Sequence, residues 1–314
     1  MTRLFIQLLL VSSLALPATA QETTTDMESW NYPYTVHHLS VNDSIDLAYV
    51  DEGEGPTLLF IHGLGSNLQA WQKNIEQLKA DYRCIAIDLP GYGKSGGGDH
   101  PYGMSFFADQ ILAFMDSLEL KDVGLVGHSM GGQIAIHIAL RNDPKVKQLA
   151  LMAPAGFEQF SEAEHQWFAT YVRPEFIQAT TEPQIVRNFE ANFYAMPDDA
   201  RFMIEDRLEM RADEDAYTAY CQMIPHCVMG MLKEPVYEQL GQLQLPVMVV
   251  YGADDALIPN RILHPTLSTE MVATEATALI PGAELHLLKE AGHFVQWEQA
   301  EAVNELLLSF FQSK

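Results

Sequence analysis

The sequence predicts an α/β protein with a doubly wound, mostly parallel sheet and an inserted helical cap. Continuous apolar runs recur along the chain, as in strands that are buried on both faces of a parallel sheet. Segments with helical apolar periodicity separate these runs, and the short links between them predict βαβ crossovers. The alternation stops between about residues 156 and 241, where aromatic residues, methionines and acidic residues are frequent. This interruption predicts a helical insert in the sheet domain.

The strands and helices of the sheet domain are predicted in order along the chain. The first two strands cover 35–39 and 45–50, and the second alternates apolar residues with others. The later strands are short apolar runs at 57–62, 83–88, 123–128, 147–153, 247–251 and 285–288. Helical periodicity is found at 68–80, 105–118, 130–142 and 297–312.

The insert is predicted to contain several helices, among them 163–172, 184–194 and 200–210. Strands flank it on both sides, and ligands of open α/β sheets bind beyond the carboxyl ends of strands. We therefore expect a core of residues 34–155 and 241–314, covered by a cap of residues 156–240. Most aromatic residues and methionines of the cap are expected to form its own core, and a few to line an apolar pocket.

The first twenty residues resemble a signal peptide. Arg3 precedes an apolar run, and the segment ends in Ala18-Thr19-Ala20, which fits cleavage before Gln21. An uncleaved membrane anchor remains the alternative, and no cysteine follows the run as a bacterial lipid anchor requires. We expect an exported protein, periplasmic in a diderm bacterium or secreted, with a loose leader at residues 21–33 and no stable membrane insertion after cleavage.

The charge of the chain excludes some partners. The net charge is −24, which does not suit binding to a nucleic-acid phosphate backbone and disfavours anionic membranes and polyanionic substrates. The chain contains three cysteines, of which Cys84 lies in an apolar run and is predicted to be a buried free thiol. Cys221 and Cys227 are close enough in sequence to form a disulfide in an oxidising compartment, and this question stays open. With His226 between them, they are only a weak metal-binding pattern.

A candidate nucleophile lies between a predicted strand and a predicted helix. Residues 127–131 read Gly-His-Ser-Met-Gly, the G-x-S-x-G pattern of a nucleophile elbow. The turn is so tight that side chains at Gly127 and Gly131 would collide, and it projects the Ser129 hydroxyl above the sheet. A helix N-cap is the alternative role for Ser129, but an N-cap serine does not require flanking glycines.

Four further stretches, together with this pattern, resemble the α/β-hydrolase family, and in particular its capped serine hydrolases and esterases. The similar segments are His62-Gly-Leu-Gly65, Asp88-Leu-Pro-Gly-Tyr-Gly-Lys-Ser95, Gly252-Ala-Asp-Asp-Ala-Leu-Ile-Pro259 and Gly292-His-Phe294. They resemble the family's oxyanion loop, its D-x-x-G-x-G-x-S turn, its acid segment and its histidine loop. The order Ser, Asp, His along the chain is also that of the family.

The resemblance implies a catalytic triad of Ser129, Asp255 and His293. Ser129 is inert until a base takes its proton, and His293 is the expected base. The family spacing from Gly252 to Pro259 selects Asp255 rather than its neighbour Asp254 as the acid that orients His293.

The oxyanion hole is expected to consist of the backbone N–H groups of Leu64 and Met130. His62 and His128 are expected to contribute loop packing and hydrogen bonds, and five other histidines to lie at the surface: His37, His38, His100, His165 and His264. Asp88 and Ser95 are expected to brace the turn around Gly91 and Gly93 rather than to take part in chemistry.

A serine at the elbow favours acyl transfer over the chemistry of the haloalkane dehalogenases and epoxide hydrolases of this fold, which use aspartate. We expect an exported carboxylesterase that acts on small apolar or aromatic esters of short-to-medium acyl length through an acyl-enzyme on Ser129. No metal or organic cofactor is implied. The alternative is a C–C bond hydrolase of the kind that acts on ring-cleavage products. A non-enzymatic binding protein of the same fold is the third possibility, and the oligomeric state stays open.

Overall fold

The structure is a computed structural model that describes residue 27, residues 30–42 and residues 45–312. The predicted signal peptide and residues 21–26, 28 and 29 of the predicted leader lie outside these described residues. No helix among the described residues combines the length and the hydropathy that crossing a membrane requires.

One eight-stranded sheet forms the centre of the described chain. Its spatial order is β1-β2-β4-β3-β5-β6-β7-β8. The β1–β2 and β2–β4 pairs are antiparallel, and all other neighbours are parallel. The strands are β1 (His37–Val41), β2 (Ile45–Glu52), β3 (Thr57–Ile61), β4 (Arg83–Ile87), β5 (Val123–His128), β6 (Val146–Met152), β7 (Val247–Gly252) and β8 (Glu284–Leu288).

The central strands are buried along their whole length. Every residue of β3, β5 and β7 is buried, because helices cover both faces of a parallel sheet. The helices that accompany the sheet are α1 (Gln72–Leu78), α2 (Met104–Ser117), α3 (Met130–Ala139), α9 (Thr269–Thr277), α10 (Val295–Glu298) and α11 (Ala300–Gln312). The predicted α/β fold class is therefore confirmed.

Five helices form an insert between β6 and β7. They are α4 (Glu162–Tyr171), α5 (Pro174–Gln178), α6 (Glu182–Glu190), α7 (Phe202–Ala212) and α8 (Glu214–Lys233). Helices α4, α6 and α7 correspond to the three helices predicted from the sequence, with ends displaced by a few residues. Helix α8 was not predicted. Pro225 lies inside α8, and a proline ordinarily breaks a helix. The periodic signal of this 20-residue helix is weakened for that reason.

Several elements of the sheet domain differ from the predicted ones. The helix expected at 68–80 begins as a 3₁₀ turn, Leu68–Trp71, before α1 continues it. The helix expected at 297–312 is two helices, because Gln299 leaves the helical conformation between α10 and α11. The first strand starts two residues later than expected, at His37.

The expectation of a loose leader is wrong for its described part. Met27, Trp30 and Tyr32 are buried in the main hydrophobic core. The N–H of Met27 donates to the carbonyl of Gly93 at 3.0 Å. Their large apolar side chains bind this segment to the sheet domain more strongly than its polar composition indicated.

All three cysteines are buried free thiols. Cys84 thus matches its prediction. Cys221 and Cys227 both lie on α8, and the disulfide that the sequence left open is not formed. Among the described residues, no group of three or more His, Cys, Asp or Glu side chains is arranged so that it could hold a metal ion.

Candidate active site

Ser129 lies where β5 ends and α3 begins, in a backbone conformation that few residues adopt. Its φ is +52° and its ψ is −118°, outside the regions that an L-residue ordinarily occupies. It occupies the N-cap position of α3, but its side chain makes no capping hydrogen bond. Strain of this kind costs about 1–3 kcal/mol and is found at functional sites. The hydroxyl is therefore available for a role other than capping.

The glycines around Ser129 are required by close contacts. A Cβ at Gly127 would lie 2.5 Å from the carbonyl oxygen of Gly131, and a Cβ at Gly131 would lie 2.3 Å from that of Ile61. Gly132 faces Pro154, whose Cβ would lie 2.9 Å from an added Cβ. Gly127 is therefore required by the turn itself, and Gly131 and Gly132 by the close approach of Ile61 and Pro154 to the start of α3.

Asp255 and His293, which are 38 residues apart in sequence, are hydrogen-bonded. The Nδ1 of His293 lies 2.8 Å from Oδ2 of Asp255. The other oxygen, Oδ1, accepts the N–H groups of Leu257 and Ile258 at 2.8 and 3.0 Å. Asp255 is fully buried, and His293 is 5% exposed. Because the carboxylate is acceptor-only, Nδ1 carries the proton, and Nε2 is the free nitrogen that a base needs.

Asp254 has a different structural role from Asp255. Its Oδ2 accepts the N–H of Glu290 at 3.0 Å, so it ties the turn after β7 to the loop that follows β8. This contact fits the turn role that the sequence analysis expected.

The carbonyl oxygen of His293 is held by His128. Nε2 of His128 lies 3.0 Å from that oxygen and donates to it. Burial, together with the neighbouring His293, keeps the pKa of His128 well below its usual value, so the ring is neutral. His128 therefore contributes hydrogen bonding, as expected from the sequence.

Ser129 and His293 open into one cavity of about 440 Å³, within the usual range for small-molecule sites. No hydrogen bond joins the Ser129 hydroxyl to the His293 ring among the described residues. Such contacts often form only when substrate binds. Leu64 lines the same cavity, so three of the five predicted site residues contribute to its wall.

The loop that follows β3 is arranged so that the N–H of Leu64 has no acceptor among the described residues. The carbonyl of Gly63 accepts the N–H of Ser66 at 3.3 Å and Nδ1–H of His62 at 2.8 Å. In a trans peptide the C=O and N–H point in opposite directions, so the Leu64 N–H is turned away from the loop. Met130 is the first residue of α3, where N–H groups have no helical partner.

His62 is held in one tautomer. Its Nδ1 donates to Gly63, and its Nε2 accepts the N–H of Leu89 at 3.0 Å. Burial lowers the pKa of His62 from 6.5 to about 4, against the opposing hydrogen bond to Gly63. A protonated ring would confront the Leu89 N–H with a second donor. The neutral ring is thus part of the geometry that directs the Leu64 N–H.

We expect His62→Asn to reduce the pH dependence of stability. Between the ordinary pKa of 6.5 and the folded value of about 4, the unfolded chain binds a proton that folded His62 does not. The free energy of unfolding therefore falls as pH falls through this window, and His62 accounts for about 2–3 kcal/mol of the fall. Urea unfolding at pH 7.5 and 4.5 measures it, and an equal fall in variant and wild type would contradict the assignment.

Asp88 braces the turn after β4, as the sequence analysis expected. Its carboxylate accepts the N–H groups of Leu68 and Lys94 at 2.7 and 2.9 Å and the hydroxyl of Tyr32 at 2.8 Å. A Cβ at Gly93 would lie 2.1 Å from this carboxylate. The Ser95 hydroxyl donates to the carbonyl of Asp88 at 2.6 Å. Burial raises the pKa of Asp88 to about 6, although these donors lower it.

The helical insert supplies much of the cavity wall. The lining includes Phe168 of α4 and Val228, Met231 and Leu232 of α8. Among the aromatic residues of the insert, Tyr171, Phe176 and Tyr194 are more than half exposed rather than part of its core. The pocket is therefore apolar, and the unpredicted helix α8 forms one side of it.

His264 is not a surface residue, which corrects the expectation. Its side chain is 17% exposed and lies between Glu158 and Glu164, at 2.5 and 2.9 Å from their carboxylates. Burial opposes the charged form, but the two carboxylates outweigh it and raise the pKa of His264. Glu158 lines the cavity, as does His165, another predicted surface residue. Tertiary contacts alone bring this cluster together.

A contact between the insert and residues 65–69 is not indicated by the sequence. Nη2 of Arg207, on α7, donates to the carbonyl of Gly65 at 2.7 Å, and its guanidinium lies 3.9 Å from the ring centre of Tyr220. Asp206 accepts the side-chain amides of Asn67 and Gln69 at 3.3 and 3.1 Å. Nothing in the local pattern of α7 indicated these partners, because they lie about 140 residues away.

The fold and this arrangement of residues define an α/β-hydrolase. The family model for the alpha/beta hydrolase fold matches residues 56–300, and the chain belongs to this family. A solved probable hydrolytic enzyme from Pseudomonas aeruginosa PAO1 superposes with a TM-score of 0.80 at 24% identity, over 92% of this chain and 98% of the other. That likeness concerns the fold.

The proteins that are similar to this chain in sequence are named for different activities. A dihydrolipoyllysine-residue acetyltransferase component of an acetoin cleaving system from Pseudomonas putida is 32% identical over 83% of this chain. This chain spans only 65% of the length of that component. A pimeloyl-[acyl-carrier protein] methyl ester esterase from Vibrio atlanticus is 28% identical, over 83% of this chain and 96% of the esterase. A 2-hydroxy-6-oxononadienedioate/2-hydroxy-6-oxononatrienedioate hydrolase from Paraburkholderia phymatum is 27% identical, over 92% and 98%.

Proposed function

We propose that this α/β-hydrolase is an exported serine carboxylesterase. The observation that carries the proposal is the hydrogen bond between Asp255 and His293, together with a cavity into which both His293 and the strained Ser129 open. Acyl transfer requires a histidine base that is oriented by a carboxylate, a serine hydroxyl that is not used for capping, and a cavity that both share.

The proposed reaction follows from the donors and acceptors in place. Nε2 of His293 takes the Ser129 proton as Oγ attacks the ester carbonyl, and Asp255 stabilises the imidazolium. The N–H groups of Leu64 and Met130 bind the oxyanion of the tetrahedral intermediate. His293 then protonates the departing alkoxide, which leaves an acyl-enzyme. Water activated by the same histidine releases the acid and restores Ser129.

The charge of the cavity supports a neutral ester as the substrate. Two carboxylate side chains, Glu158 and Glu238, line the cavity, and none of the described residues that line it is a lysine or an arginine. His264 is already paired with Glu158 and Glu164. An anionic acyl group would therefore approach these carboxylates, at a cost that low dielectric increases. Apolar residues such as Phe168 and Met231 fit a short-to-medium acyl chain or an aromatic group.

The same observation weighs against the second candidate, a C–C bond hydrolase. The relative from Paraburkholderia phymatum is named for dienedioate substrates, which carry two carboxylates. A site for such a dianion needs cationic partners, and no lysine or arginine is found among the described residues that line this cavity. The proposed export also separates this chain from ring-cleavage products formed inside the cell.

We expect the purified protein to hydrolyse p-nitrophenyl pentanoate far faster than the p-nitrophenyl monoester of succinic acid, which is similar in length but anionic. The physical reason is the repulsion expected between an anionic acyl group and the carboxylates of Glu158 and Glu238 in an otherwise largely apolar wall. Initial rates at pH 7.5, with a dienedioate as a third substrate, measure the preference. Faster turnover of the dienedioate than of either ester would replace the esterase proposal by the C–C hydrolase. A folded protein that a fluorophosphonate does not label at Ser129 would instead favour a binding protein.

A further inference from the structure

The carboxylate of Glu298 joins the histidine loop to the helical insert. Its Oε2 accepts the N–H of Gly292 at 2.6 Å and that of Tyr194 at 3.0 Å. Its Oε1 accepts the N–H of Ala195 at 2.9 Å. One side chain at the end of α10 therefore satisfies three backbone donors from two segments about 100 residues apart. Hydrogen bonds to a charged acceptor are stronger than neutral ones.

These contacts surround the backbone of His293 on both sides. Gly292 precedes His293, and the N–H of Phe294, which follows it, donates to the carbonyl of Asn192 at 3.1 Å. The rings of Phe193 and Phe294 are stacked, with centroids 5.2 Å apart. The segment of the insert at residues 192–195 thus contacts the backbone immediately before and after His293.

The two segments approach so closely that only glycine fits at position 292. A Cβ there would lie 2.7 Å from both the carbonyl oxygen of Asn192 and the backbone nitrogen of Tyr194. Because the two segments pack too closely for a Cβ at position 292, a shift of residues 192–195 would displace the histidine loop, since packed backbone has no room to deform independently.

We propose that Glu298 is a positioning residue for His293. By holding the N–H of Gly292 against residues 192–195, it sets the position of the imidazole relative to Ser129, and it makes this part of the insert a fixed support for the base. Glu298 acts through His293 and does not itself line the cavity. The inference rests on the proposed function in so far as His293 acts as the base.

The geometry calls for a carboxylate at position 298. Both oxygens face N–H donors, so both must be acceptors. A glutamine has the same shape but only one acceptor oxygen, and its NH₂ group would confront at least one N–H. Glu298→Gln is therefore a disruptive change here, although it preserves size. Glu298→Asp keeps both acceptors on a side chain one methylene shorter.

The test compares Glu298→Gln and Glu298→Asp with Glu301→Gln. Glu301 is exposed in the first turn of α11, so this control removes the same charge three residues away. We expect Glu298→Gln to lower kcat for the pentanoate ester by up to about 10²-fold with little change in KM, since a displaced base slows chemistry more than binding. Glu298→Asp should retain more activity, and Glu301→Gln should match the wild type.

A second readout does not need esterase activity. The NMR signal of the His293 ring, assigned with His293→Ala, should shift in Glu298→Gln and stay in place in Glu301→Gln. An unmoved signal with an unchanged kcat would overturn the inference. So would equal losses of kcat and of thermal stability in both Glu298 variants, or failure of both to fold, because the role would then be structural. If the wild type lacked activity while the signal still moved, only the proposed function would fail.

Discussion

Ser129→Ala is expected to lower kcat/KM for the pentanoate ester by about 10⁴-fold or more. The hydroxyl is the bond-forming group in the proposed reaction, and in serine hydrolases of this type loss of the nucleophile removes most of the catalytic effect. Initial-rate measurements on the purified variant check this result. Labelling by a fluorophosphonate should disappear together with the activity.

The fold should survive the Ser129 substitution. The side chain makes no capping hydrogen bond, so its removal costs α3 no partner. Ser129→Gly is a useful companion variant, because glycine adopts a φ of +52° without the penalty of a Cβ. It should be inactive and at least as resistant to thermal unfolding as Ser129→Ala. Retention of a tenth of wild-type activity in either variant would show that the nucleophile lies elsewhere.

Asp255→Asn is expected to lower kcat by about 10²- to 10⁴-fold. Both carboxylate oxygens accept hydrogen bonds, from His293 on one side and from Leu257 and Ile258 on the other. An asparagine offers one acceptor, so its NH₂ group must face either the imidazole Nδ1–H or two backbone donors. In the first case the ring turns or takes the wrong tautomer, and Nε2 no longer serves as a base.

The neighbouring substitution Asp254→Asn is the matched control. Only Oδ2 of Asp254 is needed, as the acceptor for the N–H of Glu290, and asparagine supplies an equivalent oxygen. Asp254→Asn should therefore keep kcat within a few-fold of the wild type. Steady-state kinetics of the two variants at one pH decide between the carboxylates. A severe loss in Asp254→Asn with a mild one in Asp255→Asn would move the acid by one residue.

Much of the site was predictable because its motifs are constrained locally. Gly127 is required by a contact within the turn, with Gly131, whereas Gly131 is required by its approach to Ile61. Their spacing around Ser129 still matches the five-residue G-x-S-x-G pattern, which is how the sequence indicates the turn. The aspartate could be chosen only by its distance from Gly252 and Pro259. In the structure, Asp255 and not Asp254 contacts His293.

Other features could not be read from the chain, because their partners are far apart in sequence. His264 sits in a polar segment and looked exposed, yet two glutamates from the insert surround it. The leader looked loose, yet Trp30 and Tyr32 are buried. Helix α8 was not predicted because Pro225 interrupts its helical pattern, although the helix continues through this proline in the structure.

The sequence by itself determined the α/β class, the strand-to-helix turn at Ser129 and the order of Ser129, Asp255 and His293. Apolar runs, periodicity and short-range sterics carry this information, and each acts over a few residues. Only the tertiary structure decided which distant groups meet. Glu298 contacts Gly292, Arg207 contacts Gly65, and the carboxylates of Glu158 and Glu238 line the cavity. These contacts depend on how the insert packs on the sheet, and that packing sums many weak interactions that no local pattern records.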